Sequence, residues 1–187
     1  VLTGSAAFAH YQAALRAVRY INTSIDPSAL PRTVSFTVHD GVTGSNTVTR
    51  QIHFITPGMD VQGNGVSIAD GDAAPSTMDG TDFGSIPVSS GTVVRTFTIR
   101  NTGNLDLALT GTPRVVVGGA NVSDFTVTAQ PASSVAPGGS ATFQVIFDPS
   151  APGLRTATLS IPNSDPNENP YDFAIQGTGT VPEMEVR

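Results

Sequence analysis

The sequence predicts an all-β fold of antiparallel β-sandwiches, with one short helix near the N-terminus. Three observations support this prediction. Apolar residues alternate along many short stretches, which is the period of a half-buried strand. These stretches recur at intervals of ~8–12 residues and are separated by turn formers, as in all-β sandwiches. Gly and Pro are abundant, at 19 and 14 residues, and only 13% of residues are charged, which is unlike a helical bundle or a disordered tail.

The first 56 residues contain the helical stretch and a predicted hairpin. Apolar residues follow helical spacing over residues 6–16, in an Ala-rich segment that Ser5 could cap. A strand is predicted over residues 18–21. Two further strands, over residues 33–39 and 47–55, are predicted to pair through a connection at residues 40–44.

From residue 57 onward the pattern predicts an immunoglobulin-like sandwich of about seven to nine short strands. Burying each large inward side chain contributes roughly 1.5–3 kcal/mol, so the Phe residues are expected to dominate the core. The predicted inward faces are Val93, Arg95, Phe97 and Ile99; Leu105, Leu107 and Leu109; Phe143, Val145 and Phe147; Ala157, Leu159 and Ile161; and Phe173 and Ile175.

A five-residue string near the middle of the chain recurs at its C-terminal end. Residues 57–61 read Pro-Gly-Met-Asp-Val, and residues 182–186 read Pro-Glu-Met-Glu-Val. Recurrence at domain spacing indicates a tandem array. We therefore expect one domain over residues 57–181, the start of a next repeat at 182–187, and a separate partial domain over residues 1–56.

Charge and composition exclude several classes of function. The net charge is −6; residues 1–56 carry +2 and the remainder −8. Such an acidic domain repels phosphate, so a nucleic-acid partner is not expected. No segment approaches the ~20 apolar residues of a membrane span. The chain has 0 Cys, which excludes disulfides and thiolate metal sites.

The first 56 residues resemble a known bacterial domain. Residues 9–16 read AHYQAALR and residues 32–41 read RTVSFTVHDG, and residues 20–24 and 45–49 continue the pattern. This text resembles the C-terminal half of a bacterial cadherin-like domain. The resemblance implies a β-sandwich domain of long secreted or surface-anchored proteins, here without its earlier strands.

The remainder resembles a second family. Residues 79–84 read DGTDFG, residues 97–103 read FTIRNTG, residues 147–149 read FDP, and residues 171–179 read YDFAIQGTG. Residues 57–181 are similar on this text to the choice-of-anchor D module, an immunoglobulin-like domain of the class that includes the hydin and ASPM/SPD-2 repeats. The resemblance implies an extracellular repeat module in a large anchored protein, and it does not imply an enzymatic activity.

Four carboxylates lie close together in a turn-rich stretch and form a candidate metal site. Asp70, Asp72, Asp79 and Asp82 are interspersed with Gly, and calcium prefers six to eight oxygen ligands on such loops. The spacing does not match an EF-hand. The alternative is that Asp and Gly make turns through side-chain-to-backbone bonds. No cofactor is required by the sequence, and calcium is the one candidate.

Catalysis is not expected. The histidines are His10, His39 and His53, and a hairpin centred near Thr43 would place His39 opposite a residue near Val48, away from His53. No Gly-x-Ser-x-Gly nucleophile elbow occurs in the sequence, and the acidic residues concentrate in turns.

Two classes of binding function stay open at this stage. Sugar-binding sandwiches stack sugars on exposed aromatic rings, but Trp is 0 and Tyr is 3, and Tyr11 and Tyr20 are expected in the core. Tyr171 is therefore the candidate ligand platform. Strand edges could instead mediate self-association.

We expect a structural or adhesive repeat segment of a large secreted or cell-surface bacterial protein: a stalk, adhesin or fibre subunit. Its expected partners are neighbouring repeats, further copies of itself, or a surface receptor. The alternative is a carbohydrate- or protein-receptor-binding β-sandwich module.

Overall fold

The computed structural model describes residues 7–21, 30–37, 42–44, 46–89 and 91–181. Within these ranges the protein has one α-helix and thirteen β-strands, which confirms the all-β fold class. Strands β1 and β2 form a two-stranded sheet of their own. Strands β3 to β13 form a sandwich of a five-stranded and a four-stranded sheet, with a further short pair.

The elements have the following bounds: α1 Phe8–Ala17, β1 Arg32–Phe36, β2 Val48–Ile52, β3 Met59–Gly63, β4 Val66–Ile68, β5 Asp82–Pro87, β6 Val93–Asn101, β7 Leu107–Ala108, β8 Val116–Gly118, β9 Phe125–Ala129, β10 Ser134–Val135, β11 Ser140–Phe147, β12 Gly153–Ile161 and β13 Tyr171–Thr180. The helix begins and ends within about two residues of its predicted bounds. Residues 18–21 form no strand, contrary to the prediction. The repeat start expected at 182–187 lies outside the described residues.

The predicted hairpin is present with a different register. Strands β1 and β2 are antiparallel, and Phe36 pairs with Val48 while Arg32 pairs with Ile52. Val48, near which the partner of His39 was expected, is thus the partner of Phe36. His39 itself lies outside the described residues.

The five-stranded sheet has the order β4-β3-β6-β11-β9 and is antiparallel throughout. Strands β6 and β11 form its centre. Their inward side chains alternate as predicted, because one face of each strand packs on the core while the other faces solvent. Phe97, Ile99, Phe143, Val145 and Phe147 are completely buried.

The second sheet has the order β5-β13-β12-β8. Its longest strand, β13, pairs with β12 in antiparallel orientation and with β5 in parallel orientation. The parallel pairing is interrupted by a register shift between Gln176 and Thr178. The sandwich is thus antiparallel except at this one edge of the described sheet.

A cluster of phenylalanine rings fills the space between the sheets. Phe97 stacks on Phe143 with ring centroids 5.3 Å apart, and Phe125 stacks on Phe147 at 4.8 Å. Phe83 packs edge-on against the second pair. The predicted core is largely confirmed, but Leu105 is 47% exposed and is an exception.

The N-terminal part has no comparable core. Among the described side chains from residue 7 to residue 58, none is buried. Tyr20, expected in the core, is 48% exposed. The side chain of Tyr11, for which the same was expected, lies outside the described part.

Candidate functional site

The connection between the hairpin and the sandwich is held in place by a turn. Residues 53–58, here called the linker, connect β2 to β3 and form no strand. Residues 101–104, here called the joint turn, begin with the last residue of β6 and continue into the bend after it. The Asn104 side chain accepts a hydrogen bond from the Thr56 N–H at 2.9 Å and donates one to the Phe54 carbonyl at 2.7 Å. Its own N–H donates to the Thr56 carbonyl at 3.0 Å.

A second asparagine organises the same turn from inside the sandwich. Asn101 is 2% exposed, and its Oδ1 accepts from the N–H groups of Gly103 at 3.0 Å and Gly58 at 3.3 Å. Its Nδ2 donates to the carbonyls of Leu105 at 2.7 Å and Val135 at 2.8 Å. The amide's two donors and its acceptor oxygen are all used. One buried side chain therefore ties the joint turn to both the linker and the strand β10.

Two glycines allow the linker and the joint turn to approach this closely. A Cβ atom on Gly103 would lie 2.3 Å from the Thr56 carbonyl oxygen, and one on Gly58 would lie 2.7 Å from Thr102 Oγ1. The Gly103 contact is with backbone and leaves no room for a side chain, whereas at Gly58 the Thr102 side chain would have to move. Gly103 is therefore required for the backbone contact, and Gly58 eases it.

Phe54 connects the linker to the N-terminal elements. Its carbonyl is held by Asn104, and its ring lies 5.9 Å from the Tyr20 ring in an edge-on arrangement. The Arg32 guanidinium lies over the same ring, 5.6 Å from its centroid. Such cation–π contacts contribute about 0.5–1 kcal/mol at exposed sites. Phe54 thus contacts the joint turn with its backbone and the hairpin with its side chain.

Beside the linker lies a group of acidic residues, here called the acidic pole: Asp60, Asp70, Asp165 and Glu168. Asp165 is buried, and its Oδ2 accepts a hydrogen bond from the Met59 N–H at 2.8 Å. This bond fixes the first residue of β3 directly after the linker. The loop that carries Asp165 is held by Asn163, which donates to the Glu168 carbonyl at 2.7 Å.

The electrostatics of the acidic pole act mainly on Glu168. Burial, followed by the negative charges of Asp165, Asp70 and Asp60, raises the pKa of the Glu168 carboxyl to about 7. Both effects disfavour the ionised form. Glu168 consequently takes up or releases its proton near neutral pH.

The four candidate calcium ligands each accept a hydrogen bond from a different backbone N–H. Asp72, Asp79 and Asp82 each accept a hydrogen bond from the N–H two residues further on, at 2.9, 3.0 and 2.8 Å. Asp70 accepts from the Asp172 N–H at 2.7 Å. No group of three or more His, Asp or Glu side chains suited to a metal ion occurs in the described ranges. The bonds of Asp72, Asp79 and Asp82 are those of the turn-forming alternative, and the calcium hypothesis stays a prediction.

Tyr171 is not an exposed platform, and this expectation is corrected. The residue is 3% exposed because it begins β13 with its ring in the core, and its hydroxyl donates to the Ile68 carbonyl. Burial raises the pKa of this hydroxyl to about 12. The ring is inaccessible for stacking on a sugar.

The outer face of the four-stranded sheet carries a shallow cavity of about 290 Å³. Its lining consists of small or uncharged residues: Ala73, Pro75, Gly119, Ala120, Thr156, Ala157, Thr158, Ala174, Ile175 and Gln176. The lining contains neither an aromatic ring nor a charge. His10 and His53 are exposed and lie outside it.

Sequence patterns identified the joint turn but not its contacts. The string Asn-Thr-Gly-Asn at 101–104 predicts a turn, and a turn is present. The sequence did not predict that Asn101, Asn104 and Asp165 hold the linker. Asn and Asp are equally common as turn formers, so their presence alone does not indicate such contacts. Asn104 could be identified only from its position opposite the linker, and that position is known only once the fold is known.

The fold and the joint define an immunoglobulin-like module with an attached N-terminal segment. The HYDIN/CFA65/VesB-like Ig-like domain family model matches residues 76–178, so the chain belongs to this family. No curated protein sequence matches the chain. Helix α1, at 10 residues, is too short to span a membrane, and the described residues hold no other helix that could.

Several solved structures are similar to the chain. A protein of unknown function from Porphyromonas gingivalis W83 is 17% identical, with 82% of this chain and 68% of that chain covered and a TM-score of 0.47. The Vibrio cholerae VesB protease is 16% identical, with 67% and 32% covered and a TM-score of 0.40. The ASH/PapD-like domain of human CEP192 is 13% identical, with 78% and 100% covered and a TM-score of 0.43. The chain thus spans about a third of the VesB structure.

Proposed function

We propose that this chain is a structural repeat segment of a large secreted or cell-surface bacterial protein, such as a stalk, an adhesin or a fibre. In this proposal residues 57–181 are a choice-of-anchor D module, and residues 1–56 are the C-terminal half of a cadherin-like domain. The segment sets the spacing and direction of neighbouring repeats and performs no catalysis. Membership of the Ig-like domain family supports the coarse part of the proposal.

The observation that supports a spacer role most directly is the set of hydrogen bonds between the linker and the joint turn. A free six-residue linker would behave as a flexible chain and leave the direction of the next domain undefined. Here the linker is bound at Phe54, Thr56 and Gly58 by bonds of 2.7–3.3 Å to the joint turn. A linker held at three points in succession transmits direction from one module to the next.

A sugar-binding role has weaker support. The aromatic platform on which it depended, Tyr171, is buried. The cavity on the four-stranded sheet has no ring on which a sugar could stack. A protein receptor remains a proposed partner of the parent protein, together with the neighbouring repeats.

The proposal is tested by a distance measurement across the joint. Because the chain has 0 Cys, spin labels can be placed on T49C in β2 and T142C in β11, both exposed positions. Double electron–electron resonance should give a narrow distance distribution for the parent chain. Asn104→Ala should widen it, because the Phe54 carbonyl and the Thr56 N–H lose their side-chain partner and the N-terminal part of the linker is held less firmly.

Asn121→Ala is the matched control. The Asn121 side chain accepts a hydrogen bond from the Thr156 N–H at 2.9 Å, within the sandwich and away from the linker. It should leave the distance distribution unchanged. If the labelled chain that keeps Asn104 already gives a distance distribution as broad as that of Asn104→Ala, the spacer proposal is refuted.

A further inference from the structure

Near its start, β6 carries an arginine on the face that points into the sandwich. Arg95 is partly buried and lies between Val94 and Thr96, which are exposed, so its side chain follows the inward face of the strand. Its Nε is buried and has no hydrogen-bond partner. Arginine is rarely buried without a partner, because a buried donor of a charged group is costly to leave unpaired. The Arg95 guanidinium is thus suited to an acceptor that the described chain does not provide.

The same sandwich contains a second inward-facing arginine, and its partner shows what such a side chain binds. Arg155 lies near the start of β12, between the exposed residues Leu154 and Thr156. Its Nε donates to Oδ2 of Asp124, whose side chain is completely buried. A carboxylate on Nε therefore satisfies the guanidinium at this strand. In the described ranges no carboxylate forms such an ion pair with Arg95.

Arg95 lies at the side of the sandwich, where β6 has a neighbouring strand on one edge only. Strand β11 pairs with β6 along nearly its whole length. On the other edge, β3 pairs with β6 only from Asn101 to Phe97, because β3 ends at Gly63. Across from β6 lies β5, the edge strand of the second sheet, whose Phe83 packs against Phe97. As far as the chain is described, the guanidinium therefore lies at a lateral opening between the two sheets.

We propose that Arg95 binds the carboxylate of a ligand, in the role that Asp124 has for Arg155. The planar guanidinium presents Nε and one Nη as a fork that matches the two oxygens of a carboxylate. Because Nε is already shielded from water, a charge-assisted bond to it is stronger than at the open surface. The site lies on the sandwich and not at the linker, so this binding goes beyond the spacer function.

Nuclear magnetic resonance of the arginine Nε–H groups tests the site directly. Sodium acetate is titrated against sodium chloride at constant ionic strength, and the Arg95 signal should shift along a saturating curve. Arg95→Lys, which removes that signal, provides its assignment. Arg100 is the matched control, since it is exposed on the same strand, and its signal should not saturate.

Two results of this titration would overturn the proposal. One is a shift of the Arg95 signal that is linear in acetate, like that of Arg100, because it would show no specific binding. The other is saturation with sodium sulfate but not with acetate, because it would assign the guanidinium to a tetrahedral anion instead of a planar carboxylate.

Unfolding in the two salts provides an independent test. A ligand that binds only the folded state raises its stability. Replacing chloride with acetate should therefore raise the urea midpoint of the unsubstituted protein and of Arg100→Met, but not that of Arg95→Met. Arg95→Lys keeps the positive charge without the Nε fork, so its midpoint should rise less than that of the unsubstituted protein. An equal rise in all four proteins would overturn the proposal.

The source of the carboxylate is identified with a Gly-Glu-Gly peptide blocked at both ends. The peptide carries one carboxylate, on a side chain, and is used in the same titration of the Arg95 signal. Tighter binding than that of acetate would identify an acidic side chain of a protein partner as the ligand. Binding equal to that of acetate would identify a small carboxylate.

Discussion

At the scale of single residues, side-chain amides replace missing backbone partners. Asn104 binds the Thr56 N–H and the Phe54 carbonyl of the linker, Gln130 binds the N–H and the carbonyl of Val115, and Asn121 accepts from the Thr156 N–H. An amide group offers donors and an acceptor like a peptide unit, and it carries no charge. The joint is therefore expected to hold over a wide range of pH.

Glu168 is the exception, because its titration falls in the physiological range. Its pKa is about 7 in the folded protein, against an ordinary value of 4.5. Between these values the unfolded chain has released the proton while the folded chain still holds it. Stability should therefore fall as the pH rises from about 4.5 to about 7, and level off above that range.

Replacing Glu168 with Gln should remove this part of the pH dependence. Urea unfolding at pH 5 and at pH 7.5 should give midpoints that differ less for Glu168→Gln than for the parent. Asp106→Asn, which removes one exposed carboxylate elsewhere, is the control and should behave as the parent does. If the urea midpoint falls equally from pH 5 to pH 7.5 in Glu168→Gln and in the unsubstituted protein, Glu168 is not the source of this pH dependence.

At the scale of elements, the sequence predicted which residues of a strand point into the core better than it predicted which strands pair with each other. The inward residues of β11, β12 and β13 were identified from alternation alone, because a sandwich strand buries one face along its length. Alternation contains no information about which strand lies alongside. The parallel pairing of β5 with β13, and the absence of a strand at residues 18–21, were therefore not predictable from it.

The expectation for Tyr171 was wrong for a related reason, while the calcium hypothesis stays a prediction. Tyr171 begins a strand, and the turn before it gives no indication in the sequence that its side chain faces inward. The four aspartates are close in sequence, but each bonds within a different local turn or to a different neighbour. Proximity in a turn-rich sequence does not imply convergence of side chains on one point. The clamp formed by Asn101 and Asn104 depends on contacts 34–50 residues apart.

The packing between elements is tight where β13 crosses the Phe cluster. A Cβ atom on Gly177 would lie 2.4 Å from Phe147 Cε1. That ring cannot move aside easily, since it is stacked on Phe125 and packed against Phe83. Gly177→Ala should therefore lower the free energy of unfolding by about 1–3 kcal/mol.

Gly118→Ala is the comparison for this substitution. Gly118 also lies in a strand, β8, but a Cβ atom there would meet nothing within 4 Å. The free energy of unfolding of Gly118→Ala should stay within about 0.5 kcal/mol of the value for the unsubstituted protein. If chemical denaturation gives the same free energy of unfolding for both variants, the ring of Phe147 moves aside without destabilising the fold.

At the scale of the whole molecule, burial is distributed unequally. All buried hydrophobic residues of the described chain lie from Met59 onward, and the hairpin β1–β2 has none. Local opening costs little where few apolar contacts are broken. The hairpin should therefore open independently of the sandwich.

Hydrogen exchange measured on the dilute, monomeric chain should show this difference. Amides of β1 and β2 should exchange faster than those of β6 and β11 by a factor on the order of 10³ or more. The short edge strand β4 serves as an internal comparison, since it is exposed but belongs to the sandwich. Equal protection of β1 and β11 would indicate that the two parts unfold as one unit.

The direction of β13 has a mechanical consequence. The strand starts beside the acidic pole, where the linker reaches Met59, and its 10 residues extend roughly 30 Å away from it. When the chain is pulled at both ends, the force therefore acts along the strands and not across them. The hydrogen bonds from β13 to β5 and β12 are then loaded together in shear, and they must rupture as a group instead of opening one after another like a zipper. A module pulled in this way resists tension well beyond what its thermal stability alone would indicate.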